Sequence, residues 1–127
     1  MTLEKQVCSL ELAKRLKKLG VVQKSYFYWV DASEWFKSPY KRKGKIDPVI
    51  FGSAEHNPKA IIASAFTVAE LGELLPHLVG AEDLKTERTN RGWVTKYGTS
   101  GKYYESADTE ANARAKMLIH LKEKEKT

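Results

Sequence analysis

Residues 25–45 read SYFYWVDASEWFKSPYKRKGK, an aromatic run followed at once by a basic one. Seven of the thirteen aromatic residues lie here (Tyr26, Phe27, Tyr28, Trp29, Trp35, Phe36 and Tyr40), with Lys37, Lys41, Arg42, Lys43 and Lys45 close behind. The first part alternates as a strand does: Tyr26, Tyr28 and Val30 point to one face, Phe27 and Trp29 to the other. Five consecutive aromatic and β-branched residues favour a strand. A strand apolar on both faces belongs in the middle of a sheet, so Ser25–Val30 is expected to be central and buried.

Working outward, the clearest helix precedes this strand. Ser9 can cap it, and Glu11 sits in the first turn, where the helix dipole favours an anion. Cys8, Leu12, Leu16 and Leu19 make one apolar stripe opposite Glu11, Lys14, Arg15 and Lys18. Gly20 supplies the left-handed residue after the last turn, and the residues before Ser9 can extend the helix back toward Thr2. The helix, the glycine and the following Val22-Gln23 loosely imitate a helix-turn-helix. A recognition helix needs a polar face to read bases, however, and Tyr26–Val30 is aromatic throughout.

Beyond the strand, Ser38-Pro39 breaks any short helix at 31–36, and Lys41–Lys45 reads as an exposed loop. Val49–Phe51 and Ala60–Phe66 are short apolar runs separated by turn residues, which predicts a hairpin between them. Thr67-Val-Ala-Glu70 is a capping box. It should open a helix of about ten residues with Val68, Leu71, Leu74 and Leu75 inward and Pro76 at its end. Residues 80–90, GAEDLKTERTN, are polar and acidic and read as a surface connection. Trp93–Tyr97 and Lys102–Glu105, joined by a turn with glycine at each end, predict a second hairpin. A last helix should begin near Asp108 or Thr109, with Ala111, Ala115, Leu118 and Ile119 on its apolar side and a frayed KEKEKT tail. The expected fold is α+β in one domain spanning residues 1–127. It combines a mostly antiparallel sheet of four to five strands with about three helices mainly on one face.

Composition narrows the function classes. The chain is 127 residues long, 42% hydrophobic and 30% charged, a soluble single-domain composition. No apolar run approaches the ~20 residues of a membrane span, and MTLEKQV has no hydrophobic signal core, which predicts a cytoplasmic protein. A single cysteine, Cys8, excludes an internal disulfide and a cysteine zinc cage and fits a small buried hydrophobe. The net charge of +6 is uneven. Residues 1–24 hold six basic and two acidic groups, whereas residues 61–90 hold two and five. A positive field favours an anionic partner: nucleotide, nucleic acid or an acidic protein surface.

Catalytic signatures are missing. His56, His77 and His120 occupy unrelated contexts, Ser53 lacks an identifiable base and oxyanion site, and no phosphate-binding glycine loop is present. No catalytic residue, metal ligand or cofactor is therefore assigned. The positive signal is the mixture of aromatic and basic residues, because bases stack on aromatic faces while Lys and Arg hold phosphates. Trp35, Tyr40, Arg42 and Lys43 carry it in the loop and Arg91 near the second hairpin, where Trp93, Lys96, Tyr97, Lys102 and Tyr103 repeat the mixture. Trp29 reads as core.

Three segments in order, CSLELAKRLKKLGVVQKSYFYWV, ASAFTVAELGELLP and TEANARAKMLIHL, resemble a group of small phage and prophage proteins. The likeness spans residues 8 to about 121 and is weakest between Asp31 and Lys59. It carries over no functional residues, but it implies the cytoplasm of a host cell and a partner that is a host protein, nucleic acid or an immune nucleotide signal. The expectation that follows is a non-enzymatic binding protein for a small anionic ligand, such as a sponge that sequesters a nucleotide signal of host defence. Its candidate site residues are Trp35, Tyr40, Arg42, Lys43 and Arg91. The alternatives are a nucleic-acid-binding or host- or virion-protein interaction module and a small enzyme. The small side of the last helix, Ala111 and Ala115, permits close backbone approach, which predicts a homodimer. The competing arrangement packs those alanines inward.

Overall fold

A computed structural model describes residues 2–31, 49–52, 58–99 and 101–125. Four helices and seven strands occupy them in the order α1 (Leu3–Gln6), α2 (Leu10–Lys18), β1 (Phe27–Val30), β2 (Val49–Gly52), β3 (Ile61–Ser64), α3 (Val68–Leu74), β4 (Leu78–Val79), β5 (Glu82–Thr89), β6 (Gly92–Tyr97), β7 (Tyr103–Ala107) and α4 (Glu110–Glu125). The fold is α+β with antiparallel pairing, as the sequence predicts, but the strands form two sheets rather than one. A three-stranded sheet runs β2-β1-β3 and a four-stranded sheet runs β4-β5-β6-β7.

The aromatic strand β1 is central to the first sheet and carries apolar groups on both faces. Tyr28 and Val30 pack with Ala60, Val49, Phe51 and Ile61 in one cluster, while Trp29 packs against the main core. The Trp29 indole N–H donates to the Cys8 carbonyl at 3.0 Å, so its one polar group is satisfied. Two details differ from expectation. Tyr26 lies before the strand and is 75% exposed. β2 and β3 are not partners of each other; both pair with β1, Trp29 lying opposite Ile50 and Ala63. A local run of apolar residues marks a strand but does not say which strand it joins.

Local helix signals hold closely. The Ser9 hydroxyl accepts from the Leu12 N–H, Gly20 has φ of 90°, and Leu12, Ala13 and Leu16 are buried. Thr67 and Glu70 form both halves of the capping box, although α3 is only seven residues long and Leu74 is 41% exposed. The residues before Ser9 do not continue α2. They form the separate turn α1, after which Val7 bridges to Thr67 and the Cys8 N–H donates to the Phe66 carbonyl.

The largest departure is α4, expected to have one apolar side. It touches β5, β6, β7, α1, α2 and α3. Ala111, Ala113, Ala115, Met117, Leu118 and Ile119 are all buried. At 100° per residue Ala113 and Met117 point away from Ala111, Ala115 and Leu118, so the helix is apolar on more than one side, as a central helix must be. The alanines proposed as a dimer seam are therefore spent inside the chain, where their small side chains let α2 and α3 approach. The helix also continues to Glu125 where a frayed tail is expected. An Arg15–Glu123 ion pair ties it to α2, and Arg114 donates to the Val68 carbonyl at 3.0 Å beside Gly72.

The second correction is β5. Its sequence, EDLKTERT, holds one apolar residue, and it was expected to be a surface connection. It pairs along its length with β6, from Leu84 opposite Tyr97 to Thr89 opposite Gly92. Leu84 and Thr86 are half-buried on the helix side while their neighbours face water. No helix among the described residues is long and apolar enough to cross a membrane.

Candidate functional site

The β5–β6 connection is a two-residue hairpin loop, Asn90-Arg91, closed by Thr89 and Gly92. The Thr89 hydroxyl donates to the Gly92 carbonyl at 3.2 Å and accepts from the Arg91 N–H at 3.3 Å. Gly92 has φ of 129°, a region that favours glycine, and a Cβ there would run into the Ala107 carbonyl of β7. The loop backbone is thus pinned while the Arg91 side chain projects into solvent.

Beside this loop lies a groove of about 610 Å³, lined by Thr89, Asn90, Arg91, Trp93, Val94, Tyr104, Ser106, Ala107 and Asp108. Its size falls within the ~300–1,000 Å³ of small-molecule sites. Val94 is buried and gives it an apolar floor, Trp93 is half-buried, and Tyr104 is 50% exposed. Among the described residues the Arg91 guanidinium, the Trp93 indole N–H, the Tyr104 hydroxyl and the Asn90 amide have no hydrogen-bond or ion-pair partner within the chain. At the loop end, where Asp108 lies against Gly92, its carboxylate accepts from the Asn112 amide at 3.2 Å, just before Thr109, whose hydroxyl caps α4 by accepting from the Asn112 N–H. The groove therefore offers a cation without a partner among the described residues, the exposed face of Tyr104 and a held carboxylate.

Of the site residues expected from the sequence, Arg91 lies in this groove. Trp35, Tyr40, Arg42 and Lys43 lie outside the described residues, as do Ser53 and His56. The hairpin set divides. Trp93 borders the groove, but alternation puts its side chain on the same face of β6 as Thr95 and Tyr97. Tyr97 is buried in the core and donates its hydroxyl to the Pro76 carbonyl at 2.6 Å, with burial pushing its pKa up to about 12. Lys96 pairs with Glu87 at 3.4 Å. Tyr103 lies on the helix side, with Lys102 and Lys124 over its ring. Tyr104, Asn90 and Asp108 enter the groove without having been singled out. The alternation of β7 puts Tyr104 opposite Tyr103 in direction, and that difference of face is the signal that distinguishes them.

Two further chemical groups sit elsewhere. The His120 ring nitrogen Nδ1 lies 3.2 Å from Glu105 Oε1, with the Tyr103 ring 5.5 Å away. This pair bridges α4 and β7 on the half-buried helix side and does not line the Arg91 groove. Cys8 is fully buried, and desolvation pushes its thiol up to about 11, so it stays protonated and unreactive at neutral pH. Among the described residues no three His, Cys, Asp or Glu side chains gather as a metal site would require. In comparisons with known proteins, no family model, no curated protein and no solved structure matches this chain.

Proposed function

We propose that this chain is a non-catalytic binding protein for a small anionic ligand that carries an aromatic ring, of which a nucleotide is the leading example. The observation that carries the reading is the convergence of uncommitted groups on the Arg91 groove. Arg91 meets a phosphate by charge-assisted hydrogen bonds. Tyr104, half exposed on the water-facing side, offers a face for a base, a stack contributing roughly 1–3 kcal/mol. Asp108 can accept only from a donor, so it disfavours a bare anion and favours a ligand that also bears N–H groups, as an adenine or guanine does. The net charge of +6 supports the same class of partner by steering anions toward the surface.

The resemblance to small phage proteins supports a sponge: a protein of the host cytoplasm that lowers the free concentration of a nucleotide signal by binding it without turnover. Such a role needs affinity and abundance and no reacting group.

A thermal-shift panel of nucleotides, cyclic ones included, with short DNA as a further arm, tests the reading. At one hundred times the dissociation constant a ligand stabilises by ~2.7 kcal/mol, an easily measured shift. Arg91→Ala and Tyr104→Ala should each abolish the shift while leaving the unliganded melting temperature nearly unchanged. A response to DNA alone, falling steeply with salt at a log–log slope near −0.9 per phosphate contacted, would instead favour nucleic acid. No response to any nucleotide at millimolar concentration would remove the small-ligand reading.

A further inference from the structure

A second groove, of about 410 Å³, opens between the α3–β4 corner and the C-terminal half of α4. One wall carries Leu74 and Leu78, which are 41% and 52% exposed and account for two of the five large hydrophobic side chains exposed among the described residues. The opposite wall presents Tyr103 and Leu121, both half-buried. Large exposed leucines beside an apolar groove mark an interaction surface.

Charge is divided between the wall of α4 and the exposed rim beside the leucines. Lys122 and Lys124 line the α4 side, with Glu125 at its end paired to Lys122 at 3.8 Å. Lys102 lies over the Tyr103 ring on the same side. On the other side Glu73, exposed, precedes Leu74 in α3, and Asp83, exposed, pairs across the ladder from Leu78. One bank is net positive and the other net negative.

The geometry points to a second copy of this chain as the occupant. In a closed two-fold interface each residue pair occurs twice, so the surface must complement itself. A groove with projecting leucines on one bank and an apolar hollow on the other meets that demand in shape. Lysines on the hollow bank and carboxylates on the leucine bank meet it in charge when the two-fold axis runs along the groove, because that axis lays each bank against its opposite. An exclusively acidic partner would match only half of this rim. The inference is independent of the Arg91 groove and of the alanine face of α4, which is already buried within the chain.

Sedimentation equilibrium on the full chain, from micromolar to several hundred micromolar, should show a mass rising from 14.4 kDa toward twice that value. Leu78→Glu should hold it at the monomer mass with an unchanged melting temperature. The double variants Lys122→Glu/Lys124→Glu and Glu73→Lys/Asp83→Lys each carry like charge on both banks and should be monomeric. Mixed in equal amounts, they should recover the dimer, because each positive bank then faces a negative one. A monomer mass for the natural chain at every concentration would overturn the inference. So would a dimer that survives Leu78→Glu, or variant mixtures that stay monomeric.

Discussion

The two sheets are built by different rules. In β2-β1-β3 nearly every residue is apolar, both faces of the central strand are covered, and two hydrophobic clusters meet across it. In β4-β5-β6-β7 one face rests on α4 and the other meets water, so polar residues alternate with half-buried ones. The first sheet is held mainly by burial. The second depends on a few buried anchors, Tyr97 and Thr95 on β6 above all, with a ladder of hydrogen bonds around them. It can therefore spare its exposed face and its hairpin loop for a ligand.

The strongest test of that contrast truncates one anchor beside each sheet. Phe66, just after β3, and Tyr97 in β6 are both fully buried and belong to the same core. Each change to Ala should cost about 3–5 kcal/mol in denaturant unfolding, in a single transition. Two separate transitions, or a cost below about 1 kcal/mol for Tyr97→Ala, would mean that the four-stranded sheet does not share the core. Tyr97→Phe should cost on the order of 1 kcal/mol, for the hydroxyl bond to the Pro76 carbonyl.

An alkaline titration sharpens the comparison next, since each sheet borders one buried weak acid. Below pH 9 the Cys8 thiol is neutral whether the chain is folded or unfolded, and its burial contributes in full. Above that, the unfolded chain ionises first and binds fewer protons than the folded one, so stability falls until the folded value near 11 is passed. The loss should reach roughly 2–3 kcal/mol, at about 1.4 kcal/mol per pKa unit. Tyr97 adds a similar fall between pH 10 and about 12. Cys8→Ala should remove the earlier of the two. A flat stability profile from pH 8 to 11 would show that neither group is shielded.

The smallest effect belongs to the wet face. Lys96 and Glu87 pair at 3.4 Å there, and a double-mutant cycle should give a coupling of about 0.2–1 kcal/mol that fades with added salt. A larger, salt-insensitive coupling would place this face out of water and break the distinction between the sheets.

The contrast also explains which elements were legible in sequence. β1, α2, the capping box at Thr67 and the β6–β7 hairpin each carry a short-range signature in periodicity, cap or turn residues, and each is present. β5 has no such signature. Only two of its residues, Leu84 and Thr86, reach the helix side, and the rest are strand because β6 satisfies their backbone groups. Arg91 could be picked out by its charge beside the hairpin, but Asn90, Tyr104 and Asp108 join it only when β7 is laid beside β6.

By itself, then, the sequence determined the local elements, the α+β class, the buried state of Cys8 and the positive charge, because these depend on residues within a turn or two of one another. The tertiary structure alone decided that β1 separates β2 from β3 and that the strands divide into two sheets. It also turned the alanines of α4 inward, set the carboxylate of Glu105 against His120, and left Arg91 and Tyr104 without partners around one groove. The physical reason is that strand pairing and helix docking are chosen by the free energy of the whole packed arrangement. Backbone hydrogen bonds are identical for every residue type but proline, so a polar strand such as β5 is specified by its neighbours. A helix apolar on several sides, such as α4, shows its role only when the surfaces that cover it are in place.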